Sequence, residues 1–134
     1  MNEQLKHYQD KLAFEIDSAD VADFFSRPSA TEKLVVIDAR GNDAFQHEHI
    51  PGAISFPHRT MNADTVKTLD KDTTYVTYCD GIGCNASTKG ALKLSTYGFR
   101  VKELMGGLDW WKRDGYSTEG LAGVERNMSV QCAC

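Results

Sequence analysis

The stretch Tyr75-Val76-Thr77-Tyr78-Cys79-Asp80-Gly81-Ile82-Gly83-Cys84-Asn85-Ala86-Ser87-Thr88-Lys89-Gly90-Ala91 decides how the rest of the chain is read. Thr73 to Tyr78 is β-branched and aromatic, the composition of a buried strand. Ala86 to Tyr97 holds no proline and meets Gly98, which predicts a helix with a glycine stop. Gly81 and Gly83 predict a connecting loop that curls back through positive φ with its amides turned inward. A sulfur at Cys79 would then face backbone N–H groups and the positive end of a helix dipole. That setting stabilises an anion and lowers a thiol pKa, so Cys79 is the candidate nucleophile.

Outward from this centre, the chain alternates strand-like and helix-like stretches. Residues 1–12 are polar and charged, an arm or short helix, and Phe14 to Ile16 predicts a brief first strand. Asp17 is a candidate N-cap, and Val21, Phe24 and Phe25 recur at helical spacing until Arg27-Pro28. Leu34 to Ile37 is a continuous apolar run of the kind buried on both faces of a sheet. A short helix around Asp43 to Gln46, a strand at Ile54 to Phe56 and a helix over Thr60 to Leu69 follow. After the central strand and helix come a strand at Arg100 to Leu104 and a short helix from Leu108 to Arg113, closed by Gly115. Such alternation predicts an α/β fold: a parallel sheet with helices on both faces and ligands beyond the carboxyl ends of its strands. Cys79 falls at such an end.

The chain has 134 residues, enough for one domain with a real core. Its net charge of −4 does not suggest a nucleic-acid or anionic-membrane surface. No apolar run reaches the roughly 18 residues of a membrane span. The start, Met1 to Lys6, carries no apolar leader, so a cytoplasmic location is expected. Four cysteines in that setting are expected as reduced, reactive or metal-binding thiols.

Three separated stretches resemble the rhodanese-like sulfurtransferase family. They are Val36-Ile37-Asp38-Ala39-Arg40 with His49-Ile50-Pro51-Gly52-Ala53; Tyr78-Cys79 with its loop and helix; and Gly98-Phe99, then Gly106-Gly107 and Trp110 or Trp111 before Gly115. The resemblance spans about residues 13–118. It implies a rhodanese-like fold with a central parallel five-stranded sheet, a domain over 13–120 and a tail over 121–134. It also implies that Cys79 carries a persulfide between a donor and a thiol acceptor such as thioredoxin or glutathione. The backbone amides of Asp80, Gly81, Ile82, Gly83, Cys84 and Asn85 would cradle the outer sulfur. The donor is a small-molecule or protein persulfide, and no cofactor is implied.

The chain departs from that pattern in informative ways. Its loop is longer than is usual in the sulfurtransferases of the family. Asp80 stands where an arginine or lysine is common, and no positive charge occurs from Cys79 to Thr88. A nearby carboxylate raises a thiol pKa and repels anionic donors, so thiosulfate is expected to serve less well than a persulfide or polysulfide. Cys84 puts a second thiol on the loop. It is either a resolving thiol that closes a disulfide with Cys79 or a cysteine packed under the helix start.

Asp38 and Arg40 are open to two readings, a catalytic acid with an anion binder or a structural pair that fixes the loop beside the site, and the pair is the expected one. His47 and His49 lack a matching ligand cluster, so no metal site is expected there. Trp110 and Trp111 cannot share a helix face, so one is expected in the core. Cys132-Ala133-Cys134 lies in a segment, Leu121 to Cys134, expected to be loose.

Three functions remain open at this level. The leading one is a rhodanese-type sulfurtransferase, in class a thiosulfate:cyanide enzyme. A second is a non-catalytic or redox-sensing module that toggles Cys79 and Cys84 between thiols and disulfide. A third is an enzyme like the dual-specificity phosphatases or arsenate reductases. A long cysteine loop favours the third, and the missing loop arginine opposes it.

Overall fold

Parallel pairing of Thr73–Tyr78 with Lys33–Asp38 forms the middle of the molecule, with Val36 opposite Val76 and Asp38 opposite Tyr78. The computed structural model describes residues 2–126. In chain order these contain α1 (Glu3–Phe14), β1 (Glu15–Ile16), α2 (Ser18–Ser26), β2 (Lys33–Asp38), α3 (Asn42–His47), β3 (Ile54–Ser55), β4 (Thr73–Tyr78), α4 (Ala86–Thr96), β5 (Arg100–Leu104) and α5 (Gly107–Arg113). Among the described residues the strands form one five-stranded sheet of order β1-β5-β4-β2-β3. Every pairing is parallel.

Alternation along the two central strands builds a core on each face. Val36, Val76 and Tyr78 join Val21, Ala22, Leu108 and Trp111 on one side. Ile37 and Tyr75 join Met61, Val66, Leu94 and Phe99 on the other. Of the adjacent tryptophans, Trp111 is fully buried, donates through Nε1 to the Ser117 carbonyl (2.8 Å) and packs against Tyr116. Trp110 remains 42% exposed. Gly90 lets α4 lie close to the sheet: a Cβ there would already touch Ala39, Met61 and Thr77.

Four expectations need correction. Helix α1 continues through Phe14, so the first strand starts at Glu15. The stretch from Thr60 to Leu69 is not an α-helix. It holds 3-10 turns at His58–Thr60 and Thr65–Thr68. Asn62 Oδ1 accepts from the Asp64 and Thr65 amides (2.9 and 3.0 Å), and Thr65 Oγ1 donates to the Thr60 carbonyl (2.7 Å). Such local side-chain bonds compete with helical ones.

Gly81 and Gly83 do not use positive φ; Gly106 and Gly107 do. The segment from Leu121 to Arg126 is also tied down. The Leu121 and Ala122 amides donate to the Gln46 and His47 carbonyls (3.1 and 2.8 Å), and Arg126 N donates to Ser117 Oγ (2.7 Å). Cys132 and Cys134 lie outside the described residues. No helix among the described residues is long and apolar enough to cross a membrane.

Trp111→Ala is expected to cost about 3–5 kcal/mol, the range for truncating a buried aromatic. Trp110→Ala, at a partly exposed ring, should cost far less. Denaturant midpoints of the two variants check this, and equal losses would contradict the packing described.

Candidate functional site

Cys79 leaves β4 at the carboxyl edge of the sheet and is 1% exposed. It packs against Ala39, Ala86 and Cys84. Its sulfur is bonded to that of Cys84, the two Cα atoms standing 6.2 Å apart. The loop therefore folds back on itself and brings together the two thiols that the sequence separates by four residues. Cys84 is half-buried, so it is the more accessible partner.

Helix α5 clamps the start of the loop. Leu108 N donates to the Cys79 carbonyl (2.9 Å) and Asp109 N to the Asp80 carbonyl (2.8 Å). Gly107, at φ +58°, makes this approach possible, because a Cβ there would collide with the Cys79 carbonyl oxygen. Gly81 serves closeness too: a Cβ would stand 3.2 Å from the Asp109 Cβ.

Within the loop, Cys84 N donates to the Gly81 carbonyl (3.2 Å). The amides of Asp80, Gly81, Ile82, Gly83 and Asn85 have no hydrogen-bond partner among the described residues. These donors lie on the loop that holds the two cysteines, and the start of the 11-residue α4 touches Cys79 through Ala86, an arrangement that suits a bound anion. The Cys79 side chain is thus enclosed, but by its own partner cysteine and two alanines.

The charge balance differs from the reading of the sequence. Asp80 is indeed close, with a carboxylate oxygen and both sulfurs mutually within 4.8 Å. Its charge is compensated, however: Arg40 Nη1 donates to Asp80 Oδ1 at 2.7 Å. The parallel register explains the meeting. Asp38 lies opposite Tyr78, so two residues further on Arg40 comes to stand beside Asp80. Nothing in the local sequence around Cys79 announces this cation, which comes from 40 positions away. The case against anionic donors is correspondingly weaker.

Arg40 is also the anchor of a buried network. Its Nε and Nη2 hold the fully buried Asp38 carboxylate (3.0 and 2.7 Å), and Nη2 reaches the Glu48 carbonyl (2.6 Å). Tyr78 Oη donates to Asp38 Oδ2 (2.8 Å) and accepts from Ile50 N (3.1 Å). Burial opposes the Arg40 charge, but the bonds to Asp38 and Asp80 outweigh it and push its pKa above the ordinary arginine value. Burial, then the Asp38 charge, pushes the Tyr78 hydroxyl pKa up, so it stays a donor.

Two recesses flank the loop. One, of about 760 Å³, is lined by Arg40, His47, Asp80, Cys84 and Lys112 among others. The other, of about 700 Å³, lies against Ser87, Thr88, Glu103 and Gly106. His49 serves structure: its ring stacks on Phe45 at 3.8 Å and its Nδ1 contacts the Phe45 carbonyl at 2.8 Å. Glu48, which the sequence reading passed over, joins three parts of the chain. It accepts from Lys112 Nζ (2.9 Å) and Thr118 Oγ1 (2.7 Å), beneath the Arg40 contact to its carbonyl. A glutamate at the end of a short helix carries no signal of that role.

A parallel α/β domain with a cysteine at the carboxyl end of its central strand, followed by an amide-rich loop and a helix, defines a class of thiol-bearing domain. The rhodanese-like domain profile matches residues 21–114, and the chain belongs to that family. The BH2092 protein of Bacillus halodurans superposes with a TM-score of 0.85 at 39% identity, over 95% of this chain and 91% of that one. The HTH-type transcriptional regulator Rv0324 of Mycobacterium tuberculosis is 31% identical over 86% of this chain and 50% of its own length. The tRNA sulfurtransferase of Thermoplasma acidophilum is 33% identical over 56% of this chain and 15% of its own length. The chain thus spans half or less of the curated relatives it matches.

Two outcomes follow from the charges. In a reduced Cys84→Ser background, Asp80→Asn removes a carboxylate within 4.8 Å of the sulfur and leaves Arg40 in place. The Cys79 thiol pKa should fall by about one unit, read from thiolate absorbance against pH; no change or a rise would count against the geometry.

Glu48 offers a second check. Burial alone would raise its pKa, but the Lys112 and Thr118 hydrogen bonds and the Lys112 charge hold it below the ordinary value of 4.5. A depressed carboxylate stabilises the fold above its unfolded pKa and loses that contribution as pH falls through the folded value. Wild type should therefore lose more stability than Glu48→Gln as pH drops below about 4.5, as acid titration of the unfolding midpoint will read.

Proposed function

We propose that this domain is a sulfurtransferase that accepts sulfane sulfur on Cys79 as a persulfide and passes it to a thiol. The observation that carries the reading is the loop itself: five amides without internal acceptors on the turn that joins Cys79 to the helix start it packs against. A thiolate must form to attack a sulfane sulfur, and the persulfide it becomes is more acidic still. Preorganised N–H donors stabilise both anions without a general base. Arg40 offsets the Asp80 charge and holds the loop in place. Family membership and the likeness to part of a tRNA sulfurtransferase support the same chemistry. The donor is a persulfide or polysulfide, and the acceptor a thiol such as glutathione or thioredoxin.

A second reading has its own support. The Cys79–Cys84 disulfide, together with the likeness to a transcriptional regulator, fits a redox-sensing module. A phosphatase or arsenate-reductase chemistry is less well supported. Arg40 is the arginine near the loop, and its fork is already occupied by Asp38 and Asp80 rather than free to grip an oxyanion.

Intact mass after exposure of reduced protein to a sulfane donor separates the readings. Cys84→Ser should gain one sulfur, mapped to Cys79, and lose it on addition of a thiol. Cys79→Ser should gain none. A Cys84→Ser chain that never takes up sulfur would leave the sensor as the better account.

A further inference from the structure

We propose that the sulfur carried by Cys79 leaves as hydrosulfide, expelled by Cys84, so that the domain works as a persulfide reductase rather than only a sulfur relay. This rests on the Cys79 persulfide proposed above and adds its fate. The bond in the structure joins the two Sγ atoms, so the Cys84 sulfur reaches the inner sulfur of a Cys79 persulfide, not merely the outer one.

The step balances. The Cys84 thiolate attacks Cys79 Sγ, the bond between Cys79 Sγ and the outer sulfur breaks, and that sulfur departs with its proton as hydrosulfide. A Cys79–Cys84 disulfide remains, the two cysteines having supplied the two electrons that reduce the sulfane sulfur.

Burial sets the order of the remaining steps. In the disulfide, Cys79 is 1% exposed and Cys84 only half-buried. An external thiolate therefore enters at Cys84 Sγ, and Cys79 leaves as the thiolate that the loop amides stabilise. A second thiolate then attacks the external sulfur of the mixed disulfide and frees Cys84. Two thiols become one disulfide and the domain is reduced again. The leaving group is the better stabilised anion, which favours this direction of cleavage over the reverse. Because Cys84 covers Cys79 in the oxidised form, a donor loads only the reduced protein. Ile82 and Cys84 both line the recess of about 760 Å³ beside Arg40, which gives an incoming thiol compound a route to the attacked sulfur.

The test uses one equivalent of glutathione persulfide on the reduced chain, with hydrosulfide trapped by alkylation and the protein weighed intact. Wild type should release one hydrosulfide per chain and end two hydrogens lighter, with Cys79 joined to Cys84. Cys84→Ser should keep one added sulfur on Cys79 and release hydrosulfide at least about ten-fold more slowly. A wild-type chain that holds the added sulfur, or a Cys84→Ser chain that releases hydrosulfide as fast, overturns internal resolution while leaving the persulfide intact. Failure of Cys84→Ser to load would remove the persulfide and this proposal with it.

A second arm adds limiting glutathione to the Cys79–Cys84 disulfide of the wild-type chain, quenches with acid and maps the trapped mixed disulfide. Glutathione should be found on Cys84, with Cys79 released as the free thiol. Glutathione found on Cys79 overturns Cys84 as the point of entry.

Discussion

The guanidinium of Arg40 is the point on which the site depends. It sits between the buried Asp38 at the end of β2 and the exposed Asp80 beside Cys79, and it also ties down the carbonyl of Glu48 beyond α3. A buried carboxylate such as Asp38 is costly unless paired, and an uncompensated Asp80 would oppose a thiolate within 4.8 Å. One side chain answers both needs. The second of its forks is what converts an acidic residue beside Cys79 from an obstacle into part of the frame.

That frame has a mechanical side. Two amides from the start of α5 hold the carbonyls of Cys79 and Asp80, and Gly107 lets the two segments come close enough to do so. The loop is therefore held in place from outside at its first two residues. Of the loop's own N–H groups only that of Cys84 is taken up internally, by the Gly81 carbonyl, among the described residues. The loop thus holds two cysteines whose accessibilities differ, Cys79 enclosed and Cys84 half-buried.

Much of the fold could be read from residue patterns. The apolar run of β2 and the β-branched run of β4 announce strands buried on both faces, and β4 and β5 begin and end where the residues suggest. The candidate nucleophile was legible because strand, loop and helix follow one another without a break. What stayed hidden was set by partners distant in sequence. The countercharge on Asp80 arises from the β2–β4 register, and the clamp on the loop from α5. The positive φ falls at Gly106 and Gly107, not at the loop glycines. The stretch from Thr60 to Leu69 forms 3-10 turns instead of a helix because Asn62 and Thr65 bond locally to the backbone, which residue composition does not reveal.

The central claim is that this loop makes the Cys79 sulfur comfortable as an anion. The rate of Cys79 alkylation against pH, in reduced protein with Cys84 replaced by serine, measures it most directly. A midpoint below the roughly 8.5 of an ordinary cysteine is the predicted result. A midpoint above that value, as for a thiol merely buried among alanines, would contradict the account.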